Sequence, residues 1–393
     1  MLTPPSRSAL LFALLVTIAG CRNDDALSPT APAAELAAAS ASTVLAFRQI
    51  SAGLHTCGVT TENKAYCWGS NWDGQLGDGT TEERHSPVAV LGGLSFRQVS
   101  ANIYHTCGIT TDYQAYCWGN NSVGQLGDGT TTPRPTPVPV AGGLAFRQVS
   151  VGVSHTCGVS YTDRRAYCWG GNGYGALGDG TTAPRQTPGL VAGGRAFREV
   201  AAGGDHTCGI TTSNEAFCWG SNGYGQVGDS SSAVLRRRPV RVSGGQSFRQ
   251  LSTQYNHTCA VTTTNIAYCW GDGRGGELGT GKKYLSFWPR RVAGGVNFRR
   301  VSAGFRLSCG ETSADQVYCW GEGAVGDGTE EERLKPVPVI GGLSFQQVSA
   351  GGSHTCGKTS TGAAYCWGLN VYGRLGDGTT IIRLTPTPVA GPM

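Results

Sequence analysis

The 393-residue chain carries 31 Lys and Arg against 26 Asp and Glu, a formal net charge of +5 with only 15% charged residues. That is far from the dense basic footprint phosphate neutralisation needs, so nucleic acid is not an expected partner. Glycine, at 61 residues, is about twice its ordinary usage, yet there is no Gly-X-Y period and tryptophan recurs regularly, which excludes collagen and disorder.

Residues 1–21 place Arg7 ahead of an apolar run, Ala9 to Gly20, that is too short to cross a bilayer comfortably and reads as a signal peptide. Ala19 and Gly20 directly before Cys21 resemble the lipobox of bacterial lipoproteins, which implies lipidation at Cys21, although Ile18 stands where that motif usually has Leu. A simple signal peptide with a secreted or periplasmic product is the competing expectation. Arg22 lacks the Asp that retains many lipoproteins on the inner membrane, so the expected address is the bacterial outer membrane or cell surface. Residues 22–43, rich in Ala, Ser, Pro and Thr with no apolar period, read as a tether.

From 44 to 393 one unit recurs seven times, its first cysteine falling at Cys57, Cys107, Cys157, Cys208, Cys259, Cys309 and Cys356. Each unit offers four short strands, typified by Phe47-Arg48-Gln49-Ile50, His55-Thr56-Cys57, Ala65-Tyr66-Cys67-Trp68 and Pro87-Val88-Ala89-Val90. A unit of about 50 residues cannot bury a core alone. The expected fold is therefore all-β: a seven-bladed β-propeller of four-stranded antiparallel blades, with a parallel β-helix as the competitor.

The second cysteine of each unit should face the first across a hairpin centred near Glu62 in the first copy. The expected disulfides are Cys57–Cys67, Cys107–Cys117, Cys157–Cys168, Cys208–Cys218, Cys259–Cys269, Cys309–Cys319 and Cys356–Cys366, leaving only Cys21. In the chain-entropy account each 11-residue loop contributes about 2.8 kcal/mol. A metal site from His55, Cys57 and Cys67 is the alternative, but Leu307 breaks the histidine pattern and an oxidising compartment favours disulfides, so no metal or cofactor is expected. His55, His105, His155, His206, His257 and His354 are expected to tie strands to neighbours by hydrogen bonds. Trp68, Trp118, Trp169, Trp219, Trp270, Trp320 and Trp367 should fill the wedge between blades. Asp78-Gly79 and its copies read as turn chemistry. No triad, paired carboxylate or phosphate loop appears among the residues that vary between units, so no enzyme is expected.

Ser51-Ala52-Gly53-Leu54-His55-Thr56-Cys57, Ala65-Tyr66-Cys67-Trp68-Gly69-Ser70-Asn71 and Gly74-Gln75-Leu76-Gly77 together resemble the repeat of the regulator of chromosome condensation family over about residues 44 to 390. The resemblance implies a seven-bladed propeller, and the paired cysteines and export signal depart from the nuclear members. It also implies two activities known in that family, nucleotide exchange on a small GTPase and, in a secreted bacterial relative, inhibition of an enzyme by covering its active site. The function expected of this chain is a non-enzymatic, monomeric scaffold for a protein or glycan, touching membrane only through lipid.

Two sets of residues vary most between units. One is the pair before His-Thr, which includes Tyr104, Tyr255, Phe305 and Arg306. The other is the loop before the Pro-Val strand, where the fourth and fifth units carry Arg236, Arg237, Arg238, Lys282, Lys283, Tyr284, Phe287 and Trp288, a basic and aromatic composition suited to an interface. Both sets are candidate partner-binding residues, and the sixth unit, shortened across Gly321 to Gly326, directs attention to blades five and six.

Overall fold

The computed structural model describes residues 45–392. The signal peptide, Cys21 and the tether therefore lie outside the described residues. Seven four-stranded antiparallel sheets follow one another in chain order, each built from consecutive strands. In blade 1 these are β1 (Phe47–Ala52), β2 (His55–Thr60), β3 (Ala65–Gly69) and β4 (Arg84–Ala89), and later blades repeat the pattern. The outer strand begins at Arg84, three residues before the expected Pro87, and Pro87 is tolerated there because the strand is an edge.

The first strands of all seven blades line a central channel. Turns between first and second strands and the long loops between third and outer strands lie on one face, hereafter the loop face. The short hairpins between second and third strands lie on the other, where each first strand begins.

The seven apolar cores sit between blades. Cys57, Val59, Cys67 and Leu76 of blade 1 pack against Phe96, Val99 and Trp118 of blade 2. The last core joins Cys356, Cys366 and Leu375 to Phe47 and Trp68, closing the circle. Each tryptophan lies under a glycine of the preceding blade. A Cβ on Gly127 (φ +72°) would come within 2.6 Å of Trp169 Nε1, which explains why that position admits no side chain.

Two belts of polar side chains join blade to blade. In the first strand, Gln49 presents its amide to the backbone of Val99: Val99 N–H donates to Oε1 and Nε2 donates to Val99 O, both at 2.9 Å. Ser51 Oγ accepts from Ala101 N at 3.0 Å. The same bonds close the ring, from Gln347 to Ile50 and from Ser349 to Ala52. Ring closure thus uses contacts between whole blades, with backbone bonds such as Gly352 N–H to Gly53 O at 2.8 Å beside the side-chain ones, and among the described residues no blade mixes strands from both chain ends.

The histidines form the second belt. His55, His105, His155, His206, His257 and His354 each place Nε2 2.6 to 2.9 Å from a Thr or Ser hydroxyl of the next blade. Those hydroxyls donate to backbone carbonyls, as Thr106 does to Gln75 O at 2.8 Å, so they accept from Nε2–H and fix the tautomer. Burial drives the histidine pKa values down, to about 3 for His55, His105 and His206 and about 4 for His155 and His257.

Candidate functional site

Cys57 and Cys67 are direct cross-strand partners, and all seven cysteine pairs are joined as disulfides at Cα separations of 4.0 to 4.1 Å. The sulfurs and the histidine Nε2 atoms are thus committed within the scaffold. Asp78 is committed as well: Arg84 Nε donates to it at 2.8 Å and the Thr80 hydroxyl at 2.8 Å. Burial opposes its ionisation, but these bonds outweigh it and hold the carboxyl below its usual range. Asn71 bonds Asp78 Oδ1 and the carbonyls of Thr80 and Glu82, which pins the long loop. What the repeat leaves uncommitted are its exceptions.

On the loop face the exceptions converge at the channel mouth. Asn102 and Gln254 occupy places where five other blades have glycine, and Asn102 Nδ2 donates to Gln254 Oε1 at 3.2 Å across the channel, from blade 2 to blade 5. Above this bond Leu54, Ile103, Tyr104, Tyr255 and Phe305 surround a recess of about 220 Å³. Tyr255 and Phe305 meet edge to face at 4.4 Å. The Tyr255 backbone is left-handed, at φ +39°. Tyr104 is 42% exposed.

The recess continues into a second one of about 400 Å³ between blades 6 and 7, sharing Phe305, Gly352 and Ser353. Its floor is Leu307 and Ala324, its wall Leu369 and Ile382, and its polar edge the Arg306–Glu322 ion pair at 2.8 Å. The shortened sixth loop leaves this gap, because Gly323 and Ala324 stand where the other units carry a longer segment, pinned by Asn in all but the fifth. The two recesses form one mainly apolar groove.

Of the sequence candidates, Tyr104, Tyr255, Phe305 and Arg306 therefore come together. The other set does not join them. Arg236, Arg237 and Arg238 belong to a strand, Leu235–Arg241, and Phe287 and Trp288 to another, Ser286–Arg291, where a loop was expected. Pairing with the third strand, Gly220 opposite Arg236 and Gly271 opposite Ser286, extends these edges. Arg236 is the repeat's own clamp on Asp229, at 2.6 Å, and no departure from the pattern. Tyr284 packs against a core, Arg290 stacks on Trp288 at 4.4 Å, and Lys283 pairs with Glu332, leaving Arg237, Arg238 and Lys282 as exposed rim charges. Sequence reasoning missed Asn102, Gln254, Leu369 and Ile382. The first two were signalled by the loss of a glycine at one aligned position.

Two models of the Regulator of chromosome condensation (RCC1) repeat match the chain, one over residues 62–109, 114–159, 163–210, 213–261, 314–357 and 361–393 and the other over six shorter segments between 47 and 374. Among solved structures, human WBSCR16 is 21% identical with a TM-score of 0.76, covering 83% of this chain and 94% of that one. Yeast RCC1 (Prp20), solved bound to Kap60, is 20% identical with a TM-score of 0.74, covering 86% and 84%. The ectodomain of the Arabidopsis thaliana receptor kinase ACR4 is 20% identical with a TM-score of 0.54, covering 84% and 97%.

Proposed function

The chain belongs to the regulator of chromosome condensation repeat family, and from that premise we propose that it is a non-enzymatic propeller that seats a protein partner in the loop-face groove. The groove carries the reading. Tyr, Phe, Leu and Ile side chains are partly exposed there around Phe305, with polar groups at the margin, which is the anatomy of an interface hot spot. A glycan would call for a row of convergent polar groups, so protein is the better-supported partner. In its own structure the yeast relative binds Kap60, a protein.

Export belongs to the same proposal. Seven disulfides suit an oxidising compartment, and among the described residues no helix is long and apolar enough to cross a membrane. Lipid at Cys21 would supply the anchor at the envelope. Nucleotide exchange on a cytosolic GTPase fits this setting poorly.

A photocrosslinking amino acid placed in turn at Phe305, Ile382 and Trp288 tests the proposal in the exported fractions of the native cell. One shared product from Phe305 and Ile382, absent at Trp288, is expected. Products from Trp288 alone, or none from the groove positions, would overturn it.

A further inference from the structure

The opposite mouth of the channel carries a charge pattern the groove does not use. In six units the residue after the first strand's Phe is Arg: Arg48, Arg97, Arg147, Arg198, Arg249 and Arg299. All stand where the first strands begin, so they ring this mouth. Several reach sideways to the next blade, Arg48 to Phe96 O at 2.7 Å, Arg198 to Phe248 O at 2.8 Å and Arg249 to Phe298 O at 3.3 Å. Each such hoop uses only part of a five-donor guanidinium.

Blades 6 and 7 then break the repeat, adding Arg300 and Lys358 but also Glu311, and giving up the ring arginine at Gln346. Arg300 replaces the belt glutamine, and Lys358 replaces the Val or Ile of the second strand, its Nζ donating to Gln346 Oε1 at 3.1 Å. Arg48, Arg249, Arg299, Arg300 and Lys358 line a recess of about 480 Å³ at this mouth, with Asp315 at its edge. We propose that this recess binds a compact oligophosphate anion, with Arg249 and Arg300 as its principal contacts and Arg48 and Lys358 completing the cradle.

Counter-charge within the protein is insufficient. Glu311 and Asp315 both pair with Arg299, and Glu311 also accepts from Val348 N in place of the missing glutamine. Glu199, near Arg198 and Arg300, is pushed up to about 7 by burial, which weakens it as a counter-charge. Among the described residues Arg48, Arg198, Arg249 and Arg300 have no carboxylate within ion-pair distance, and Nε of Arg198 and of Arg249 is buried without a partner. Burial and the like charges of Arg300, Arg198 and Arg299 lower the Arg249 pKa, the signature of an uncompensated crowd. A concave like-charge cluster focuses its field on an incoming anion. Guanidinium forks match phosphate oxygens in pairs, and the recess has small-molecule size. Several negative charges must enter that small volume, which favours an oligophosphate over a simple carboxylate.

Inorganic tripolyphosphate is the probe, with orthophosphate and citrate as comparisons, in calorimetry of the full disulfide-bonded protein at low ionic strength. Arg249→Gln and Arg300→Gln are the variants, and each installs the residue another unit carries at that position, so both are expected to keep the wild-type thermal midpoint. One tripolyphosphate per chain is expected, weakened at least about tenfold in either variant, with orthophosphate and citrate at least about tenfold weaker than tripolyphosphate. Phe305→Ala, in the groove, should leave this binding unchanged. No binding, or binding indifferent to both arginine variants, would overturn the site, and citrate matching tripolyphosphate would overturn its assignment to phosphate.

Discussion

Replacing His105 by Leu should reverse its effect on stability between neutral and acidic pH. In the wild type His105 is buried, bonded through Nε2 to Thr156 at 2.8 Å, and held neutral with its pKa pushed down to about 3 by burial and then by its neighbours His155 and His55. In the unfolded chain it titrates near 6.5. Between those values the unfolded state holds more protons, so the stability His105 contributes is complete above about pH 6.5 and is lost as pH falls. At pH 5 the loss is about 2 kcal/mol. Leu cannot titrate, and the sixth blade already accommodates it, with Leu307 buried beside Cys309 and Val348. At neutral pH the variant loses one hydrogen bond, about 1 kcal/mol, while Thr156 still donates to Gln125 O at 2.9 Å. The variant should therefore be less stable than wild type by about 1 kcal/mol at pH 7.5 and more stable by about 1 kcal/mol at pH 5. Calorimetric thermal midpoints with disulfides intact would show the sign change. Equal destabilisation at both pH values would refute the neutral belt.

The cysteines give a second test: thiol labelling of the native mature domain should find no reactive group among the fourteen, all fully buried, and reduction should require prior unfolding. Labelling of any of them under native conditions would contradict the paired arrangement. Gly127→Ala should destabilise by about 2 kcal/mol or more, because its Cβ would meet Trp169 Nε1 at 2.6 Å in a left-handed backbone. Gly142→Ala, also left-handed at φ +92° but with nothing within 4 Å, should lose only about 1 kcal/mol, and similar losses at the two sites in chemical denaturation would dissociate the cost from packing against Trp.

The architecture is legible in the sequence because its signals repeat. The period, the facing cysteines and one tryptophan per unit each follow from strand geometry that a sequence states directly. The histidines are legible as ties between strands, but the ties run from blade to blade, a distinction that depends on how far apart blades stand. The groove is legible only in part. Tyr104, Tyr255, Phe305 and Arg306 stand out as variable positions, but their convergence depends on the Asn102–Gln254 bond between residues 152 apart. Arg236 misleads because its neighbours Arg237 and Arg238 hide the repeat's own Arg–Asp clamp. Glu311 and Lys358 carry a signal that aligned units would expose, since Val59, Ile109, Val159, Ile210 and Val261 fill that place elsewhere.

The loop-face groove is proposed to bind a protein. Its most direct test is the affinity of the crosslinked partner for wild type, Tyr104→Ala and Phe305→Ala, measured by calorimetry after circular dichroism and the thermal midpoint establish that each variant is folded. Phe305→Ala should lose at least about thirtyfold, or about 2 kcal/mol, and Tyr104→Ala less. Unchanged affinity in both folded variants would contradict it.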